Sequence, residues 1–225
     1  AAVTTNIPVS GPSYIWYISA VSAKEFGLNN IGPAVAANVP TGVFPTTHVG
    51  YFGGGHPGKS TVDRINYFND TVTASTKGPL NFARGYLAAT GNASFGYFGG
   101  GDSPSKSTID RIDYSNDTAD ASPKGQLNVA RRQHAATGNA DFGYFGGGAT
   151  TTTVSTDRID YSNDTADALI KGDLDMGSPS GSSRLAATGN SNFGYFGGGY
   201  SNRSNVCRID YSNDTVDASP KGPLS

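Results

Sequence analysis

The chain has 225 residues, 36% of them apolar, with 16 basic and 18 acidic residues and a net charge of −2. It carries no basic stripe of the kind nucleic acid requires, no run near the roughly 20 apolar residues of a membrane-inserted helix, and one cysteine, Cys207, which excludes an internal disulfide framework. Glycine, at 31 residues, is about twice its usual share, but it is periodic and sits beside aromatic residues.

Residues 1–43 lie outside the periodic pattern. Within them Tyr14-Ile15-Trp16-Tyr17-Ile18 is the most apolar run of the chain. Such a run needs a covering surface, on the rest of the chain or on a neighbouring subunit. Tyr14, Trp16 and Tyr17 are the candidate docking residues of this extension.

From residue 44 onward one phrase keeps returning. It reads Gly50-Tyr51-Phe52-Gly53-Gly54-Gly55, then Phe95 to Gly101, Phe142 to Gly148 and Phe193 to Gly199. The tyrosines Tyr51, Tyr97, Tyr144 and Tyr195 are 46, 47 and 51 residues apart. A second phrase keeps step: Asp63 to Tyr67, Asp110 to Tyr114, Asp157 to Tyr161, and Cys207 to Tyr211. A period of this length marks an array of one supersecondary unit.

The second unit shows what that unit is. Leu87-Ala88-Ala89-Thr90 reads as a short small-sided strand, and Gly91-Asn92 as a turn. Phe95-Gly96-Tyr97-Phe98 is an aromatic strand, and Gly99-Gly100-Gly101 admits close approach of another backbone. After a variable polar loop, Ile109 to Tyr114 alternates, with Ile112 and Tyr114 on one face and Arg111 and Asp113 on the other. Ser115-Asn116-Asp117-Thr118 is a turn. Ala119 to Leu127 holds Pro123 and Gly125 and reads as an edge strand. No segment carries helical spacing. Four antiparallel strands in such a repeat make a propeller blade, which buries its faces only against its neighbours.

The blades fall at about 44–80, 84–127, 131–174 and 184–224. Val43 to His48 is expected to supply the innermost strand of the first. Phe98, Ile112, Tyr114 and their counterparts are expected in the core. Arg64, Arg111, Arg158 and Arg208 share one strand position, two residues before Asn66, Asp113, Asp160 and Asp210. Side chains two apart lie on one face, so an Arg-Asp ladder within or between blades is expected, with no charged pair at Asn66 in the first unit. The last unit stops where earlier ones continue into Ala83-Arg84 or Ala130-Arg131, so the natural chain is expected to run on past Ser225.

Little chemistry rises above this scaffold. Of three histidines, His134 stands where sister units have Leu87 and Leu185. No pair has metal-ligand spacing. Cys207 stands where sister units have Asp63, Asp110 and Asp157, and is read as a buried or half-buried thiol. Asp113 to Thr118 offers oxygen ligands of a kind calcium takes, but the same residues close an Asx-type turn. No catalytic residue, cofactor or metal is expected. The loops His56 to Ser60, Asp102 to Ser107, Ala149 to Ser155 and Tyr200 to Asn205 differ while their flanks repeat. Loops of that kind gather on one, often binding, face. His56, Asp102, Lys106, Tyr200, Asn202 and Arg203 are the candidate binding residues.

The order of parts resembles a kelch-type β-propeller: Arg131, the small strand His134 to Asn139, Tyr144-Phe145-Gly146-Gly147, a variable loop, Asp157 to Tyr161, and the turn Ser162 to Thr165. The resemblance covers about residues 44–225. It departs at Ala74, Ala121, Ala168 and Ala218, near the place where kelch blades usually carry Trp. The wording Gly-Tyr-Phe-Gly-Gly-Gly, Asp-Arg-Ile-Asp-Tyr-Ser-Asn-Asp-Thr and Leu-Ala-Ala-Thr-Gly-Asn is also similar to kelch-like repeat proteins of marine bacteriophages, cyanophages especially. That likeness implies a non-enzymatic virion or extracellular protein, a fibre, tail or surface decoration. Its partners would be other virion proteins, copies of itself, or a host surface glycan or protein. The alternatives are a secreted or surface carbohydrate-binding propeller and a scaffold or filament protein.

Overall fold

Each repeat closes as a four-stranded antiparallel meander, because aromatic and β-branched runs of about five residues alternate with Gly, Asn and Asp turns. The computed structural model describes residues 19–22, 49–102, 104–149, 154–177, 182–200 and 203–225. The first sheet contains β1 (Ser19–Ser22), β2 (Val49–Gly53), β3 (Val62–Asn66) and β4 (Ser75–Lys77). The second contains β5 (Ala88–Gly91), β6 (Phe95–Gly99), β7 (Ile109–Asp113) and β8 (Ser122–Pro123). The third contains β9 (Ala135–Gly138), β10 (Phe142–Gly146), β11 (Ser155–Asp160) and β12 (Leu169–Asp173). The fourth contains β13 (Leu185–Gly189), β14 (Phe193–Gly198), β15 (Val206–Asp210) and β16 (Ser219–Lys221). Strand order in every sheet is the chain order, and the innermost strands of successive sheets run beside one another. The molecule is an all-β, four-bladed propeller.

The first blade departs from expectation at its inner edge. β1 pairs with β2, Ser19 opposite Gly53 and Ser22 opposite Gly50. Residues from within the N-terminal extension thus hold the innermost place of this sheet, and Val43 to His48 lie outside the described residues. The free edge of β2 accepts one partner only, and the register of β1 on it matches that of β5 on β6.

Blades pack by a knob and socket. The first glycine of each Gly triplet is the socket, and the Phe of the next blade's aromatic strand is the knob. A Cβ at Gly53 would strike the ring of Phe98, one at Gly99 that of Phe145, and one at Gly146 that of Phe196. These three rings are wholly buried. The second glycine meets backbone as foreseen: a Cβ at Gly100 would crowd the Arg131 carbonyl, and Gly100 also needs its left-handed φ of 66°. Beside each socket the aromatic-strand Tyr stacks on the Tyr that directly follows the next blade's third strand. Tyr51 lies 5.0 Å from Tyr114, Tyr97 4.8 Å from Tyr161, and Tyr144 4.8 Å from Tyr211. Phe98, Ile112 and Tyr114 are all in the core, whereas their first-blade counterparts Phe52 and Ile65 are half-buried and Tyr67 is exposed, because no described blade packs on that side of the first sheet. Each such residue contributes about 1.5–3 kcal/mol by burial.

The Arg-Asp ladder runs between blades with a different acid from the one expected. Arg64 Nη1 donates to Asp117 at 2.7 Å, Arg111 to Asp164 at 2.7 Å, and Arg158 to Asp214 at 2.8 Å. The acids belong to the Asn-Asp-Thr turn of the following blade. Asp113, Asp160 and Asp210 are occupied elsewhere, accepting from the Ser two residues on and capping a single 3₁₀ turn. The Ser115 hydroxyl holds the Asp113 carboxyl below its ordinary range. The turn acid also takes the tyrosine hydroxyl, Tyr51 to Asp117 at 2.8 Å, and a lysine, Lys77 to Asp117 at 3.3 Å. The second and third junctions repeat this set.

A second charge pair clasps each middle blade from inside. Arg84 reaches Asp110 at 3.1 Å and Arg131 reaches Asp157 at 3.0 Å, all four side chains fully buried. Burial pulls the aspartates up and the arginines down, and the attraction within each pair opposes both shifts. Arg131 Nη1 also donates to the Gly147 and Ser155 carbonyls, so the charge is hydrogen-bonded as burial requires. In the fourth blade both members are changed together. Buried Ser182 stands for the Arg and buried Cys207 for the Asp, with Cys207 Sγ 3.4 Å from Met176 Sδ. Cys207 is a free, buried thiol, pushed up by burial to about 11.

The fourth blade thus provides a neutral replacement for the pair. Arg131→Ser alone leaves Asp157 buried without its cation and is expected to cost about 3–5 kcal/mol in urea denaturation. Adding Asp157→Cys, the fourth blade's solution, is expected to recover about 1–3 kcal/mol. His134 gives a pH test. It is buried where its sisters are leucine, and burial, with Arg131 nearby, pushes it down to about 3. The unfolded chain takes up this proton near pH 6.5. The contribution is therefore whole above that pH and is lost as pH falls toward 3. At pH 5 the loss is about 2 kcal/mol. His134→Leu should remove that slope from stability measured between pH 7 and 4.5.

Candidate functional site

The propeller has two unlike ends. One carries the turns between first and second strands and between third and fourth strands, built from near-identical Asn and Asp turns. The other carries the variable loops between second and third strands, together with the links that lead from each blade into the next. Backbone hydrogen bonds knit loops to links: Gly55 N to Arg84 O, Asp102 N to Gly85 O, Gly101 N to Arg131 O, Ala149 N to Arg132 O and Tyr200 N to Ser183 O, all 2.8–3.0 Å.

The links bring three non-glycine residues into left-handed backbone, Tyr86 at φ 55°, Gln133 at 54° and Arg184 at 58°. They occupy one register position, directly before Leu87, His134 and Leu185. They are also bonded to each other in sequence, Gln133 N to Tyr86 O at 2.9 Å and Arg184 N to Gln133 O at 2.6 Å. The three links therefore form a staircase around the loop-side ends of the innermost strands. Left-handed backbone costs an ordinary L-residue about 1–2 kcal/mol. A Tyr, a Gln and an Arg held there, where Gly is easier, make this register a candidate functional position.

Around the staircase the predicted residues fall as follows. His56 is exposed and its ring lies 5.1 Å from that of Tyr86. Tyr200 is 52% exposed, with the Arg184 guanidinium 4.8 Å over its ring. Asp102 accepts from Arg132 at 2.8 Å, tying the second blade's loop to the link before the third. Lys106 lies over Phe82 at 5.7 Å and its backbone bridges to Arg131. Arg203 is spent on the Met176 carbonyl at 3.3 Å. Asn202, and Tyr14, Trp16 and Tyr17 of the extension, lie outside the described residues. The structure thus pairs His56 with Tyr86 and Tyr200 with Arg184, and gives Asp102 and Arg203 framework contacts.

Tyr86, Arg132, Gln133 and Arg184 join this face although they lie in links between blades, outside the variable loops. A signal was present: between the Arg or Ser that opens each link and the strand that follows, one register reads Tyr, Gln and Arg. Chemically, the face offers aromatic rings, guanidinium groups and an amide, suited to stacking and hydrogen bonding. Among the described residues no group of three or more His, Cys, Asp or Glu side chains converges to hold a metal.

Gln133→Gly relieves the left-handed strain but adds chain entropy to the unfolded state, and is expected to raise stability by about 0–1 kcal/mol; guanidinium melts would check this. No protein-family model matches the chain, and a search of curated proteins finds no match.

Proposed function

We propose that the protein is a non-enzymatic recognition propeller, carried on a phage particle or other extracellular surface, that binds a host glycan or protein through its loop face. The observation behind this reading is the strained, non-repeating trio Tyr86, Gln133 and Arg184, flanked by His56 and Tyr200, on one end of an otherwise uniform array. Exposed rings beside guanidinium and amide groups stack on sugar faces and bond hydroxyls. The resemblance of the repeat wording to kelch-like phage proteins supports the virion setting.

The test is binding of labelled protein to a glycan array and to a panel of bacterial cells. The double variant Tyr200→Ala/Arg184→Ala is expected to lose at least about tenfold in affinity. Ser162→Ala, at the opposite end, should bind unchanged. Equal binding by all three proteins would end the loop-face reading.

A further inference from the structure

Charge is divided between the two ends of the propeller. The turn segments 67–74, 114–121, 139–141, 161–168 and 211–218 hold Asp70, Asp120, Asp141, Asp167 and Asp217 besides the junction acids, and no Lys or Arg. The loop and link segments 54–61, 78–87, 100–108, 125–134, 147–154, 174–184 and 199–205 show the reverse. Apart from the clasp arginines Arg84 and Arg131, their charged residues are Lys59, Lys106, Arg132, Arg184 and Arg203 against Asp102 and Asp175. A chain with a net charge of −2 thus presents a cationic face at its loop end. A surface of one sign draws ligands of the other, whatever the net charge of the whole.

The cations of this face fall into two groups. Arg132 donates to Asp102 at 2.8 Å, and Arg203 to the Met176 carbonyl at 3.3 Å. Lys59, Lys106 and Arg184 have no carboxylate partner among the described residues. Lys59 and Arg184 are exposed. Arg184 is also held in place: its backbone bonds to Gln133, and its guanidinium lies 4.8 Å over the Tyr200 ring. Stacking occupies the flat face of a guanidinium and leaves its N–H edge for an acceptor. Lys106 is likewise seated, 5.7 Å over the ring of exposed Phe82.

Lys59 belongs to the first blade's loop, Lys106 to the second's, and Arg184 to the link between the third and fourth blades. Cations set on different blades suit a polymer with charges at intervals better than one compact anion. Rings accompany them. Exposed His56 shares the loop of Lys59 and lies 5.1 Å from the Tyr86 ring, and Tyr200 is 52% exposed beside Arg184. Such rings stack on the apolar faces of sugars.

We infer that the loop face binds an acidic polysaccharide, with carboxylate or sulfate groups on Lys59, Lys106 and Arg184 and sugar rings against His56 and Tyr200. This rests on the recognition reading above and adds to it the charge of the ligand.

Binding of the 225-residue chain to immobilised polymers, at low and high salt, tests this. Alginate is set against its carboxyl-reduced form, dextran sulfate against dextran, and duplex DNA serves as a further polyanion. An acidic polysaccharide is expected to bind at least about tenfold more tightly than its neutral form, with affinity falling as salt rises. Which of the two binds tells carboxylate from sulfate. Lys59→Gln/Arg184→Gln, both on exposed side chains, should weaken that binding at least about tenfold. Asp141→Lys raises the net charge at the turn end, where sister turns carry Ser94 and Asn192, and should bind unchanged. Tighter binding by Asp141→Lys, or DNA bound as tightly as the polysaccharide, overturns the inference, because net charge then suffices. Acidic polymers bound no better than their neutral forms overturn it as well, and so does binding that Lys59→Gln/Arg184→Gln leaves intact. If a neutral glycan is bound instead, and is lost in Tyr200→Ala/Arg184→Ala, the loop-face reading stands and only the ligand's charge is wrong.

Discussion

One carboxylate per junction organises this molecule. The turn Asp of each following blade collects a tyrosine hydroxyl, a guanidinium and an ammonium from the blade before it. Any one of these contacts alone is a single hydrogen bond or ion pair, a net contribution of about 0.5–1.5 kcal/mol. Together they fix the rotation of one sheet on the next, because a tyrosine and an arginine on neighbouring strands converge on the same oxygen. The Phe knob and Gly socket then fill the space that this rotation leaves. The apolar contact supplies most of the burial, and the carboxylate supplies its register.

The blade was legible in the sequence because its parts are local. Alternation in Ile109 to Tyr114, the aromatic run before each Gly triplet and the Asn-Asp turns all act within a few residues. What joins blades was less legible. Arg111 and Asp113 are two apart on one strand and invited pairing, but Asp113 bonds the Ser115 amide at 2.9 Å and is consumed as a cap. The acid that Arg111 uses is 53 residues away, and only the angle between sheets brings it near. Blade order supplies that angle, and a single repeat read by itself does not contain it. The inner strand of the first blade escaped for a related reason. Ser19 to Ser22 carries no repeat wording, and an edge of hydrogen-bonding groups selects a partner by backbone more than by side chain.

The loop face divides the same way. His56 and Tyr200 stood out as unlike residues in like places, and both are paired at the surface. The left-handed trio was hidden by its neighbours, since a link read as a connector draws no notice until its φ angles are known. The exchange of Arg and Asp for Ser182 and Cys207 in the fourth blade shows that the interior clasp tolerates a neutral version, provided both members change. A lone change would leave a buried charge, and that constraint explains why the two departures occur in one unit.

The knob and socket have a direction: every blade offers a glycine forward and a phenylalanine backward. A duplicated stretch of the gene encoding one unit would therefore arrive with both halves of its interface already compatible with its neighbours. Unequal recombination could lengthen or shorten the array without inventing a new contact. Copy number would then drift far faster than the unit's own wording, and related chains would be expected to differ first in how many units they carry.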